Sequence, residues 1–183
     1  MALYTEKLIM TTFQEMLEEM PFDKITVVAL VKRAGISHNT FYYHYRDIYA
    51  LFDTWFQNFI TSYLPDSRLK EWKSSTKDML HTCCKHPNMV YHVFDCLSRD
   101  HMERYIFSLT DDVFFHMAKE KAEEYNLSDK EIRSIAAFCR YAYTGFILHF
   151  FWNHMEDDID ESVDRLGILF DNFLKTSVQK GEC

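Results

Sequence analysis

The sequence predicts an all-α protein of about nine helices. Glycine and proline are scarce, at 4 and 3 of 183 residues, which favours long helices with short connections. Hydrophobic residues make up 48% of the chain and aromatic residues 16%, enough to bury a substantial core. Apolar residues recur at spacings of three and four, and no segment alternates as a β-strand does.

Three helices are expected in the first 46 residues. The first runs from about Thr5 to Met20, with apolar residues at helical spacing. Thr26 and Ser37 precede two short helices, and their side chains are suited to accept hydrogen bonds from the free N–H groups of a first turn. Gly35 lies between these helices, where a positive φ favours glycine.

Six further helices are predicted after this segment. The first of them is capped by Asp47, and the others lie at about Leu69–Lys85, Asn88–Ser98, from there to Tyr125, Ser128–His154 and Glu161–Val178. Ser128 and Glu131 form the S-x-x-E pattern of a capping box. The expected division is a head of residues 1–46 and a helical body of residues 47–183.

Charge is distributed unevenly between these parts. The net charge is −8, whereas residues 1–46 contain five basic and five acidic residues. The segment Thr26–Arg46 holds Lys32, Arg33 and Arg46 and no acidic residue. The overall charge excludes a protein that coats nucleic acid without selectivity, because that role needs a broad basic surface.

Cysteine usage and hydropathy predict a reduced, cytoplasmic protein with no membrane partner. The five cysteines are odd in number and show no secreted-type framework. Glu6 and Lys7 interrupt any signal peptide at the N-terminus. The longest apolar run, Tyr141–Trp152, is too short to span a bilayer.

The segment Thr26–Arg46 has the pattern of a helix-turn-helix unit, whose second helix enters the major groove of double-stranded DNA. Phe41 and Tyr45 are spaced to form the apolar inner face of that second helix. The outer face is polar and free of acids, and it comprises His38, Asn39, Thr40, Tyr43 and His44.

This segment resembles the signature of the tetracycline-repressor (TetR) family, on the motifs Ala34-Gly-Ile-Ser37 and Thr40-Phe-Tyr42. The resemblance covers roughly the first 52 residues. The stretch Arg46-Asp-Ile-Tyr-Ala-Leu51 resembles a subset that includes regulators of dihydroxyacetone kinase operons. One departure is Ile48, which stands where the family commonly has a lysine that contacts the DNA backbone.

The resemblance implies DNA-binding roles for several residues of the segment. Tyr42 and His44 would contact phosphates, and His38, Asn39 and Tyr43 would lie over base edges. The predicted DNA-binding residues are Thr26, Arg33, Ser37, His38, Asn39, Thr40, Tyr42, Tyr43 and His44. For any one of them, an ordinary role as a cap or surface residue stays open.

Family members dimerise through their last two long helices, which implies a homodimer on a near-palindromic operator. The helix at Ser128–His154 is apolar almost all round and must be covered on more than one side. Gly145 in its middle costs about 1 kcal/mol against alanine, which suggests a close backbone approach. The alternative is a deep core helix of a monomer.

The family usually holds an inducer pocket among its middle helices, which implies a small hydrophobic effector. The candidate ligand-binding residues are Met79, Cys83, Phe94, Leu97, Tyr105, Leu109, Phe138 and Tyr141. For each of them, an ordinary core position is the alternative, since aromatic residues and methionine at helical spacing are typical of a core.

No enzymatic, metal or cofactor site is expected. The sequence contains no G-x-S-x-G, no glycine-rich phosphate loop and no H-E-x-x-H. His81-x-x-Cys84 has no second ligand pair to complete a zinc site. The acidic stretch from Glu156 to Glu161 fits a solvated loop and helix start, with a cation site as the alternative.

The sequence therefore predicts a dimeric, ligand-responsive DNA-binding regulator, a repressor by family habit. A protein-interaction co-regulator with weak DNA binding is the alternative, favoured by Ile48 and by the zero net charge of the head.

Overall fold

Nine α-helices make up the described part of the chain in a computed structural model, which describes residues 2–62, 72–123 and 127–179. They are α1 (Ala2–Glu19), α2 (Val27–Ala34), α3 (His38–His44), α4 (Ile48–Thr61), α5 (Trp72–Lys85), α6 (Pro87–Phe94), α7 (Arg99–Lys121), α8 (Asp129–Trp152) and α9 (Ile159–Gln179). A 3₁₀ turn, Phe22–Lys24, lies between α1 and α2, and these ranges contain no β-strand. The predicted all-α class is confirmed.

Most helix ends lie within a few residues of the predicted ones. The clearest difference is α6, which ends at Phe94, four residues before the predicted Ser98. Apolar residues continue through Leu97, but the backbone leaves the helix by an i→i+3 bond from the N–H of Cys96 to the carbonyl of Val93, at 3.1 Å. The predicted start of α5 at Leu69 and end of α7 at Tyr125 lie outside the described residues.

The chain forms two compact units. The first comprises Met1–Leu64 with Thr82–Ser98, and the second Pro65–His81 with Arg99–Cys183. The first unit thus contains α4 and α6 in addition to the helices predicted for the head. The functional boundary predicted near residues 46–50 stays a prediction.

An aromatic cluster forms the core of the first unit. Phe13 is fully buried, and its ring lies 6.1 Å from that of Phe22 and 5.9 Å from that of Trp55. Phe22 in turn lies 4.6 Å from Phe52. These contacts join α1, the 3₁₀ turn and α4, and Leu30 of α2 is fully buried in the same unit.

In the second unit, α7 packs along α8 around a second aromatic cluster. The ring of Trp72 lies 5.5 Å from Phe170, and Phe114 lies 5.4 Å from Tyr143. The buried hydroxyls of Thr76 and Tyr143 are hydrogen-bonded at 3.0 Å. Burial raises the pKa of Tyr143 to about 12, against the opposing effect of that hydrogen bond.

Among the described helices, none has the length and apolar character to cross a membrane.

Candidate nucleic-acid interface

Three side-chain caps shape the segment from α2 to α4. The N–H of Ala29 donates to Thr26 Oγ1 at 3.2 Å, and the N–H of Thr40 donates to Ser37 Oγ at 3.0 Å. The N–H of Ala50 donates to an Asp47 carboxylate oxygen at 2.8 Å. Between α2 and α3, Gly35 has φ 66°, a left-handed conformation that favours glycine. These caps and this turn are as predicted.

Helix α3 has a buried inner face and an exposed outer face. Phe41 is fully buried, and Tyr45, the C-cap residue of α3, is 6% exposed. Burial raises the pKa of Tyr45 to about 12, and the negative charge of Glu6 adds to the rise. On the outer face, Tyr42 is 55% exposed and Tyr43 80% exposed. The inner aromatic residues therefore fix α3 while its outer side chains stay accessible.

The nine predicted DNA-binding residues lie together along α2, the turn and α3. Thr26 and Ser37 are the caps, and Ser37 Oγ also lies 2.8 Å from Thr40 Oγ1. The others on α3 are His38, Asn39, Tyr42 and Tyr43, which are exposed, and His44, which is half-buried with its ring 5.1 Å from that of Tyr43. Their contacts with DNA stay predictions.

Arg33 on α2 is directed at acidic side chains of α1. Its Nη1 and Nη2 donate to the carboxylate of Glu19 at 2.5 and 2.7 Å, and Nη2 also donates to Glu15 at 3.3 Å. The hydrogen bond to Glu19 raises the pKa of Arg33 and lowers the pKa of Glu19. The sequence contained no indication of these ion pairs, because Glu19 and Glu15 lie 14 and 18 residues away from Arg33 in the chain.

The other basic residues from α2 to the start of α4 add little positive charge to this surface. Arg46 Nε donates to Asp47 at 2.9 Å. Lys32 is exposed, and among the described residues of α2–α4 it is the one lysine or arginine without an ion pair. The acid-free segment thus presents polar and aromatic groups more than cations.

Two exposed side chains beside this surface were not predicted. Val28, in the first turn of α2, is 64% exposed, and Tyr49, in the first turn of α4, is 65% exposed. The ring of Tyr49 packs edge-on against Phe22 at 5.5 Å. Their positions in the first turns of helices that flank α3 were visible in the sequence, whereas their exposure was not.

A second exposed surface, the α8/α9 face, is apolar. It comprises Phe138, Tyr141 and Trp152 on α8 with Ile168 and Leu169 on α9, each about half exposed. Phe138 stacks on Phe173 with ring centroids 4.2 Å apart. Helix α8 therefore buries one side within its unit and leaves three large apolar side chains about half exposed on another side.

Gly145 lies on the exposed side of α8. A Cβ atom built on it would meet nothing within 4 Å. Packing inside the unit therefore gives no reason for glycine at this position.

The predicted effector-binding residues are divided between the two units. Cys83, Phe94 and Leu97 lie in the first, whereas Met79, Tyr105, Leu109, Phe138 and Tyr141 lie in the second. Cys83 is buried, and burial raises its pKa to about 12. Phe138 and Tyr141 are more than half exposed. Their binding role stays a prediction.

The acidic stretch from Glu156 to Glu161, which runs into the first turn of α9, has ordinary structural partners. Asp158 accepts from the N–H of Glu161 at 2.9 Å, and Asp160 lies 3.2 Å from both Lys77 Nζ and His81 Nε2. Within the described ranges, no three His, Cys, Asp or Glu side chains are grouped so that they could hold a metal ion.

Comparison with known proteins gives matches over most of the chain. Residues 10–54 match the model of "Bacterial regulatory proteins, tetR family", and residues 70–172, more than half of the chain, match that of "Transcriptional regulator C-terminal region". A search of curated proteins found no match. Both matched models describe regulators.

The fold is also similar to a solved structure, "Dihydroxyacetone kinase operon activator DhaS". The TM-score is 0.66 over 97% of each chain, with 16% sequence identity. At this identity the likeness shows a shared fold. The two matched models, one of which spans more than half of the chain, establish that the chain belongs to the TetR family of transcriptional regulators.

Proposed function

We propose that the protein binds a near-palindromic DNA operator as a homodimer, with α3 of each protomer in the major groove. The observation that carries this proposal is the two-sided character of α3. Phe41 and Tyr45 hold the helix on a buried side, while Asn39, Tyr42 and Tyr43 extend from an exposed side that has no acidic residue. Such a surface can approach phosphates without electrostatic repulsion and can hydrogen-bond base edges.

The proposed contacts follow the order of residues along α3. His38, Asn39 and Tyr43 contact base edges, and Tyr42 and His44 contact phosphates, assisted by Thr26, Ser37 and Thr40. The guanidinium of Arg33 already binds Glu19 and Glu15. We therefore assign Arg33 the role of holding α2 on α1.

Fluorescence anisotropy with the DNA upstream of the protein's own gene tests this proposal. We expect a specific site whose affinity falls steeply as salt rises, since phosphate contacts release counterions. Tyr42→Ala and His44→Ala should abolish specific binding, while His116→Ala, an exposed histidine on α7, should leave it unchanged. The absence of binding to any palindromic sequence at low salt would overturn the proposal.

The α8/α9 face supports the homodimer. Monomeric proteins seldom leave several large apolar side chains exposed together on one surface. A second copy of the same face would cover Phe138, Tyr141 and Ile168, and Gly145 would allow two α8 backbones to approach closely. Light scattering should give twice the chain mass at micromolar concentration, and Ile168→Glu should give the monomer, with Ile168→Leu as the matched control.

We expect the protein to repress transcription, because most members of the family are repressors. The structurally similar DhaS is named an activator, so the direction is tested by a reporter fused to the operator. Expression that rises on deletion of the regulator supports repression, and expression that falls supports activation. The action is proposed for the cytoplasm, where bacterial DNA lies.

We propose further that a small hydrophobic effector releases the protein from DNA. Loss of the anisotropy signal on addition of small aromatic compounds tests this step. Variants of Met79, Tyr105 and Leu109, which lie half-buried in the second unit, should lose the response but keep DNA binding.

A protein-interaction co-regulator with weak DNA binding is the second candidate. It is favoured by the engagement of Arg33 and Arg46 in ion pairs and by Ile48 in place of a lysine. It predicts no specific site at any salt concentration, with regulation that survives Tyr42→Ala.

A further inference from the structure

We propose that the operator half-site contacted by α3 consists of A·T base pairs, with an adenine opposite Asn39 and thymine methyl groups against Tyr43. This inference rests on the proposed function, since it specifies which DNA the same surface selects.

The groups that usually recognise guanine are missing from α3. Guanine is most often bound by an arginine or lysine that donates two hydrogen bonds to its O6 and N7. Helix α3 contains neither residue type. It also has no aspartate or glutamate, the side chains that accept from the amino group of cytosine.

The nearby cations are poorly placed to supply this contact. Base edges are contacted by the N-terminal residues of a recognition helix, while the preceding helix crosses the DNA backbone. Arg33 lies near the end of that preceding helix and its two Nη atoms bind Glu19 at 2.5 and 2.7 Å. Arg46 follows the C-terminal end of α3, and its Nε donates to Asp47.

Lys32 also lies on the helix that would cross the backbone, in the last turn of α2. Its ammonium group is therefore suited to a phosphate, not to a base. None of the three basic residues from α2 to the start of α4 belongs to the part of the motif that would enter the groove.

The groups that α3 does expose suit adenine and thymine. Asn39, the second residue of α3, is exposed, and its amide can pair with N6 and N7 of adenine. Tyr43 follows four residues later, on the same face of the helix, and is 80% exposed. Its ring offers apolar surface for the C5-methyl group of thymine.

His38 and Thr40, the other outer residues in the first turn of α3, do not favour G·C pairs. A single bond from the His38 imidazole to a purine N7 is available from adenine and guanine alike. The Thr40 hydroxyl is already hydrogen-bonded to Ser37 Oγ at 2.8 Å. The base preference of α3 is therefore set by Asn39 and Tyr43.

Selection of bound duplexes from a random pool by the full-length chain is the first test. We expect two inverted half-sites, each with an A·T pair at the position that Asn39→Ala no longer selects and a second A·T pair at the position that Tyr43→Ala no longer selects. Half-sites with a G·C pair at those positions would overturn this inference and leave the proposed function intact. Selection of no sequence would overturn both.

Removal of single methyl groups from the selected duplex is the second test. Replacing the thymine that contacts Tyr43 by uracil should weaken binding about fourfold, the effect of one buried methyl group. The same replacement should have no effect on the Tyr43→Ala variant, because the contact is already lost. An unchanged affinity of the wild-type chain for every uracil-substituted duplex would overturn the assignment of Tyr43.

The Asn39→Ala variant completes the design. It should bind the selected duplex about ten- to a hundredfold more weakly and tolerate a changed base pair at one position per half-site. The matched control is Asn88→Ala, an exposed asparagine on α6 of the same unit, which should leave the affinity unchanged. If Asn39→Ala lost the same factor in affinity for duplexes with any base pair at that position, the adenine contact would be overturned.

Discussion

The guanidinium of Arg33 forms a two-point hydrogen bond with the carboxylate of Glu19, joining the last turn of α2 to α1. The pair adds a polar contact between the two helices, beside the buried side chains of Leu30 and Val31 on α2. We therefore expect Arg33 to influence DNA binding only indirectly, by supporting the position of α2 on α1.

The Arg33–Glu19 pair should make a pH-dependent contribution to stability. The hydrogen bond from Arg33 lowers the folded-state pKa of Glu19. The contribution is therefore complete above the unfolded-state value, about 4.3 for glutamate, and is lost as pH falls through the lower folded-state value. Melting temperatures of wild type and Glu19→Gln should differ slightly at pH 7, because exposed pairs contribute little, and should converge as the pH falls below the lowered folded-state pKa of Glu19. A difference that keeps the same size at every pH down to acid unfolding would contradict this assignment.

The two faces of α3 should respond oppositely to truncation. Phe41→Ala removes a fully buried ring and should cost about 3–5 kcal/mol in the free energy of unfolding. Tyr43→Ala changes an exposed side chain and should alter stability by less than about 0.5 kcal/mol while weakening DNA binding. Urea titration and anisotropy on the same samples separate the effects. A large loss of stability in Tyr43→Ala would mean that the outer face is structural.

Ile48→Lys should strengthen DNA binding. Ile48 is the first residue of α4, directly after the N-cap Asp47, at the position where the family commonly has lysine. One added phosphate contact should steepen the slope of log affinity against log salt by about 1. Ile48→Met, which adds length without charge, is the matched control. An unchanged salt slope for Ile48→Lys would place residue 48 away from the DNA backbone.

The cysteines should differ in reactivity towards iodoacetamide. Burial raises the pKa of Cys83 and of Cys139 to about 12, so both remain thiols at pH 8. Cys84 is exposed, and its pKa is raised less. Peptide mass spectrometry should find Cys84 alkylated well before Cys83 and Cys139, and urea should remove the difference. Early alkylation of Cys139 would show that the buried side of α8 is readily exposed to solvent.

Gly145→Ala should separate helix stability from dimerisation. The added methyl group meets nothing within 4 Å inside the protomer, so it should stabilise α8 by up to about 1 kcal/mol in the monomeric Ile168→Glu background. In the otherwise wild-type chain the same change should weaken the dimer, if two α8 backbones meet at Gly145. Sedimentation at several concentrations measures the second effect. An unchanged dimer would place Gly145 outside the contact between protomers.

Local features of the fold were predictable from sequence because their causes are local. Thr26, Ser37 and Asp47 each cap a helix through a bond to an N–H group three residues later. Ser128 and Glu131 form the predicted capping box in the same way. Gly35 adopts a positive φ at little cost because it has no Cβ atom, which is a property of the residue itself. The segment that carries α2, the turn and α3 could therefore be identified without coordinates.

Tertiary structure decided which of these residues are available. Arg33 belongs to an acid-free stretch of sequence, yet its partners are two glutamates on another helix. Helix α8 is apolar almost all round in sequence, and only its packing on α7 and α9 determines that Cys139 is buried while Phe138 and Tyr141 are exposed. Helical spacing specifies the faces of a helix, but burial and ion pairing depend on neighbours that lie far away in the chain.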